Sequence, residues 1–158
     1  MDDYKTIKSF KSFKFFMPSI LWMGLIFYFS HEPGDISSKN NNFVVDLLYK
    51  INRNIVEFWG CENLNILVRK TAHVTEYLIL FMLLYYGFHK IYKNKNIKKL
   101  YKASVCSAST TILYAFTDEF HQIFIQGREG KIFDVFIDSI GVLIGIIIVR
   151  IVLKRKVS

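Results

Sequence analysis

The apolar residues of this chain come in blocks, and its charged residues come in blocks between them. A water-soluble domain mixes the two along every element, because each helix or strand has one face on the core and one in solvent. Segregation on this scale selects an integral membrane protein built as one compact domain. Four runs carry the apolar content: 15–30, 72–88, 103–116 and 132–153. A helix needs about 20 residues to cross the hydrocarbon layer, so the first three runs must borrow flanking residues while the fourth suffices alone. Strands of a membrane β-barrel alternate apolar and polar positions, and a run such as "LIGIIIV" does not. The expected fold is all-α: a polytopic four-helix transmembrane bundle, one domain over 1–158, with helices at 13–30, 70–89, 101–120 and 132–153.

The charges orient that bundle. Net charge is +8. Lys5, Lys8, Lys11 and Lys14 precede the first helix. Lys90, Lys93, Lys95, Lys98, Lys99 and Lys102 lie between the second and third, and Arg150, Lys154, Arg155 and Lys156 end the fourth. With four spans all of these share one face, and among the acids only Asp2 and Asp3 join them. Basic loops stay in the cytoplasm, so both termini are expected there. The excess charge is a topology signal and calls for no nucleic acid. The N-terminal "YKTIKSFKSFK" before an apolar run resembles a secretory signal, but no small-residue cleavage site follows, so a retained first helix is expected. Cys61 and Cys106 fall in a loop and inside a helix, and are read as free thiols.

Residues 31–70 then face outward. Within them Phe43, Leu47, Ile51 and Ile55 recur every four residues, with Asp46–Lys50 and Arg53–Glu57 at i,i+4 on the other side. The spacing predicts an extracytoplasmic amphipathic helix over 42–59, either flat on the outer leaflet or packed on the outer end of the bundle.

The same outward level is dense in ionisable groups. Arg69, His73, Glu76 and Tyr77 share one face of the second helix, beside Lys70. The third helix ends in "TDEFHQ", where Asp118 or Glu119 with Gln122 makes a polar stripe. The fourth opens with Asp134, Asp138, Gly141 and Gly145 on one stripe, the two glycines admitting a close neighbouring helix. A carboxylate at the centre of a bilayer costs on the order of 3 kcal/mol, so Glu76, Asp134 and Asp138 must face the interior and find partners there. Arg69, Lys70, His73 and Arg128 are the expected ones. Gly127 is expected to reverse the chain and aim Arg128 over the helix ends.

The elements "RKTAHVTEYLIL", "TDEFHQIFIQGREGKIFDVFIDSIGVLIG" and "FSHEP" resemble the VanZ-like family of small bacterial membrane proteins over nearly the whole chain. Carried over by position, the family's motif residues are Ser30, Pro33, Lys70, His73, Tyr77, Asp118, Glu119, Gln122, Gly127, Arg128, Asp134, Asp138 and Gly141. Gln126 stands where the family often has proline, and His121 is additional. The resemblance implies a multi-pass protein of the bacterial plasma membrane. Its name comes from a member that lowers susceptibility to teicoplanin-type lipoglycopeptides, lipid-tailed drugs that bind cell-wall precursor at the outer membrane surface.

Two chemistries remain open for the cluster. In the first, Arg69, Lys70, His73, Glu76, Tyr77, Asp118, Glu119, Gln122, Arg128, Asp134 and Asp138 line a pocket for an anionic membrane lipid or a lipid-linked cell-wall precursor. Arg128 would grip phosphate bidentately, and any effect on a lipoglycopeptide would be indirect. In the second, Glu76, Asp118, Glu119, Asp134 and Asp138 include a general acid or base of a hydrolase or transferase, with a divalent cation held by these acids, His73 and His121. The chain has no HExxH and no nucleophile elbow. A purely structural network joining the helices is the plain alternative. The residues leave the ligand, any metal and the oligomeric state open.

Overall fold

The computed structural model of the chain describes residues 13–51, 53–92 and 97–157, all of them helix or short connection. Lys5, Lys8, Lys11, Lys93 and Lys95, with Asp2 and Asp3, lie outside the described residues, as do the side chains of Ile55, Lys98, Lys99 and Lys156. Six helices follow one another: α1 (Met17–Ser30), α2 (Gly34–Ile51), α3 (Arg53–Trp59), α4 (Cys61–Ile91), α5 (Ile97–Gln122) and α6 (Ile132–Val157).

Each boundary has a local cause. Proline in the first turn starts α1, where its missing N–H is not needed. Gly60 stands before α4 at φ 76, a left-handed conformation that glycine adopts without a Cβ penalty, and it separates α4 from α3. Within α5 the hydroxyls of Ser107, Thr110 and Thr111 each donate to the carbonyl four residues back. A run of Ser and Thr therefore stays helical in apolar surroundings without stranded donors.

The all-helical expectation holds, with two corrections to the boundaries. The amphipathic stretch expected at 42–59 is two helices, and the first of them begins at Gly34. The second expected bundle helix begins at Cys61, well before residue 70, so α4 is about 46 Å long at 1.5 Å per residue. The apolar stripe read on α2 also faces away from the bundle. Phe43, Leu47 and Ile51 are exposed, while Val45 is buried against Leu64 and Val68 of α4.

Of the four expected membrane-crossing helices, one, over Ile132–Arg155, is long and apolar enough by itself. α1 is apolar but shorter, and α4 and α5 interrupt their apolar runs with polar groups. The bundle's exterior is apolar nonetheless. Along α6, Phe136, Ile140, Leu143, Ile147 and Ile151 form an exposed stripe, and Leu21, Leu25, Leu113 and Phe116 do the same on α1 and α5. Water-soluble monomers do not present continuous apolar surface of this kind.

Close packing joins α4 to α6. A methyl group on Gly141 would strike the backbone at Val74 and Leu78, and one on Gly145 would strike the Phe81 ring. The glycine stripe thus does what its spacing predicts, bringing the two helices together side by side. The shared core is Tyr77, Leu80, Phe81 and Leu84 of α4 against Ile26, Ala115, Val135, Val142 and Val149. Two ring donors tie α1 to its neighbours through backbone carbonyls: Trp22 Nε1 to Glu76 O at 3.0 Å, and Tyr114 Oη to Met23 O at 2.7 Å.

Candidate functional site

Where α1 ends, α5 ends and α6 begins, the interior of the bundle is polar. Asp118, Glu119, Gln122 and Asp138 are all buried there, together with Ser30. Asp118 is the hub. Its Oδ2 accepts from Ser30 Oγ at 2.9 Å, Tyr77 Oη at 3.1 Å and Gln122 Nε2 at 3.0 Å. Its Oδ1 is buried and has no hydrogen-bond partner. Glu119 accepts from the Lys131 backbone N–H through Oε2 at 3.0 Å, and Gln122 Nε2 lies 3.4 Å from its Oε1.

On α6, Asp138 is 1% exposed and neither of its oxygens has a hydrogen-bond partner. His73 Nδ1 comes within 3.5 Å of Asp138 Oδ1. One oxygen or nitrogen from each of His73, Asp118 and Glu119 lies within 4.8 Å of the others, a spacing that suits a bound cation. Asp134 joins Asp138 in lining the space beside them, on the stripe its spacing predicts.

The turn between α5 and α6 supplies Arg128. Gly127 has φ 74, so the chain reverses there as expected. Arg128 then reaches back over the end of α1, donating from Nε to Glu32 O at 2.8 Å and from Nη2 to Phe29 O at 2.7 Å. These are carbonyls at the C-terminal end of the helix, where backbone acceptors lack intrahelical donors and a cation is favoured. Burial lowers the Arg128 pKa from its ordinary value, and the charge of Asp118 acts in the opposite sense. The expected pairing of cations with acids is seen in His73 beside Asp138, but takes a different form at Arg128. Among the described residues Arg128 makes no ion pair with a carboxylate, and it satisfies backbone instead. Lys70 lies over the Phe133 ring, 5.7 Å from its centre.

Two cavities meet at this level and share Arg69, His73 and Arg128. The inner one, bordered by Glu119, Gln122, Asp134 and Asp138, has about 20 Å³ of free space, enough for one water or one ion. The outer one opens between α2 and α4, with about 190 Å³ bordered by Ser30, Glu32, Ser37, Asn40, Asn41 and Glu76. Arg69 is exposed and, among the described residues, forms no ion pair.

The structure thus gathers Arg69, Lys70, His73, Glu119, Gln122, Arg128, Asp134 and Asp138 around one cavity, and Glu76 around the next. Tyr77 and Asp118 are buried behind them in hydrogen-bond contact. His121 lies apart, its ring 4.6 Å from Phe27 and 5.3 Å from His31, with its Nε2 3.1 Å from His31 Nδ1. The polar wall contributed by α2 was missed in the sequence, because "SSKNNN" reads as a loop. Pro33 and Asp35, a helix-start signal, could have found it.

No curated protein and no solved structure matches the chain. A family model does. The chain belongs to the VanZ/LLP1 family, which it matches over residues 15–153.

Proposed function

We propose that this is a multi-pass protein of the bacterial plasma membrane that holds an anionic headgroup in the cavity between α2 and α4. In this reading α1, α4, α5 and α6 cross the membrane as a four-helix bundle, both termini are cytoplasmic, and the cavity opens outward. The headgroup is that of a membrane lipid or a lipid-linked cell-wall precursor. The observation that carries the reading is Arg69, an exposed guanidinium without an ion-pair partner among the described residues, facing a cavity it lines with Arg128, the neutral polar groups of Ser37, Asn40 and Asn41, and the acids Glu32 and Glu76. Guanidinium plus hydroxyl and amide groups is the chemistry that recognises a phosphate bearing a sugar or glycerol.

The distribution of charge supports the orientation. Lys90, Lys102, Arg150, Lys154 and Arg155 lie at the opposite end of the bundle from the cavity. The outward-turned Phe43, Leu47, Ile51, Phe58 and Trp59 of α2 and α3 suit a helix pair resting on the outer leaflet. Family membership makes altered lipoglycopeptide susceptibility the phenotype to examine, reached through the precursor and not through the drug.

Protein purified from membranes containing phosphatidylglycerol or lipid-linked precursor is expected to retain anionic lipid, and Arg69→Gln to bind it about tenfold more weakly, the loss of one charge-assisted hydrogen bond. Equal retention by the two proteins overturns the binding site. Orientation has its own measurement: exposed Cys61 is expected to react with a membrane-impermeant maleimide in intact cells, while a cysteine at Lys102 in a Cys61→Ser background is not. The reverse pattern overturns the outward cavity. Unchanged teicoplanin susceptibility on expression in a susceptible Gram-positive host removes the resistance phenotype.

A further inference from the structure

We propose that the polar cluster at the wall of the inner cavity binds one divalent cation, held by His73, Asp118 and Glu119 and flanked by Asp138. The site does not depend on the headgroup reading: it shares His73 with the outer cavity, but Asp118 and Glu119 do not border that cavity and no lipid is needed to fill the site.

Three independent features of the geometry point to an ion. The first is the one-sided use of Asp118. Three donors converge on Oδ2, which fixes the carboxylate plane, and the buried Oδ1 is left bare. A carboxylate locked through one oxygen and naked at the other is how outer partners prepare a metal ligand. The second is Asp138, 1% exposed, with neither oxygen hydrogen-bonded and one of them 3.5 Å from His73 Nδ1. That contact turns Nδ1 toward a carboxylate, and with Nε2 on the ion the pair would form the carboxylate–histidine–metal arrangement. The third is room: His73, Glu119 and Asp138 border about 20 Å³ of free space, the size of an ion or a water, with Asp118 buried behind them.

The charge balance agrees. Buried carboxylates without cationic partners are strongly unfavourable, and Arg128, the nearest guanidinium on the α5–α6 turn, is engaged by backbone carbonyls. A dication cancels the charges of Asp118 and Glu119 and gives Asp118 Oδ1 a partner. One imidazole with two carboxylates selects a first-row ion of the Mn²⁺ to Zn²⁺ series over Ca²⁺, which takes six to eight oxygens.

The test uses the full chain in phosphatidylcholine nanodiscs, stripped with chelator and then given Mn²⁺ or Zn²⁺ alone. The expected result is one equivalent of ion retained through gel filtration, a rise in melting temperature, and a single histidine nitrogen in pulsed EPR of the Mn²⁺ form. Asp118→Asn and His73→Gln are expected to weaken binding by about tenfold or more. Wild-type protein that binds neither ion at millimolar concentration overturns the site. So does Mn²⁺ bound with no histidine nitrogen, or with two, as the His31–His121 pair would give. Undiminished affinity in both variants overturns it too. If the variants fail to accumulate, the wild-type stoichiometry and EPR decide.

Discussion

At the end where α1 begins, Phe16 meets Phe88 edge-on at 5.0 Å and Phe88 stacks on Tyr92. At the end where α1 stops, Ser30, Tyr77 and Gln122 all donate to one oxygen of Asp118. Both ends hold the same helices together, but with different tolerance. Ring contacts depend on volume and shape, and another apolar residue of similar size restores most of them. A buried hydrogen-bond hub depends on identity, because removing one acceptor strands every donor aimed at it. Contacts that depend on residue identity are therefore concentrated at one end of the bundle, and contacts that depend on shape at the other.

The contrast can be broken or sharpened by substitution, read as unfolding free energy in mild detergent. Asp118→Leu is expected to be the most damaging, at about 3 kcal/mol, since three donors lose their acceptor at roughly 1 kcal/mol each. Gly141→Ala follows at about 2 kcal/mol: the added methyl meets backbone at Val74, which can yield only if α4 and α6 separate. Tyr77→Phe removes one hydroxyl from the hub and is expected to cost about 1 kcal/mol. Phe88→Leu, at the ring-packed end, is expected to cost less, about 0.5 kcal/mol. Should Phe88→Leu exceed Tyr77→Phe, the two ends are not distinguished by chemistry and the contrast fails.

Much of this was legible in the sequence, for reasons that differ from residue to residue. Asp134, Asp138, Gly141 and Gly145 fall on one face because helical spacing dictates it, and they line the cavity and meet α4 as read. Gly127 turns the chain because few other residues adopt its conformation without strain. The partners of Arg128 were not legible. They are carbonyls of Phe29 and Glu32, and a backbone acceptor leaves no mark in the side-chain alphabet. Nor does any spacing say that Asp118 would spend one oxygen on three donors and none on the other; that emerges only when α1, α4 and α5 are together. The early start of α2 was hidden because Ser and Asn have weak helix propensity, and contact with α4 through Val45 overrides it.

The closure of the site over Phe29 and Glu32 also has a consequence for biogenesis. Arg128, which donates to the carbonyls of Phe29 and Glu32 where the first helix ends, is made only after α2, α3, α4 and α5. Until then the growing chain carries an unfinished polar mouth, and no shorter chain can hold the completed cleft. With Asp134 and Asp138 contributed by the last helix as well, the site stays incomplete until α6 is made. Chains that stall earlier would present quality-control proteases with an unsealed bundle.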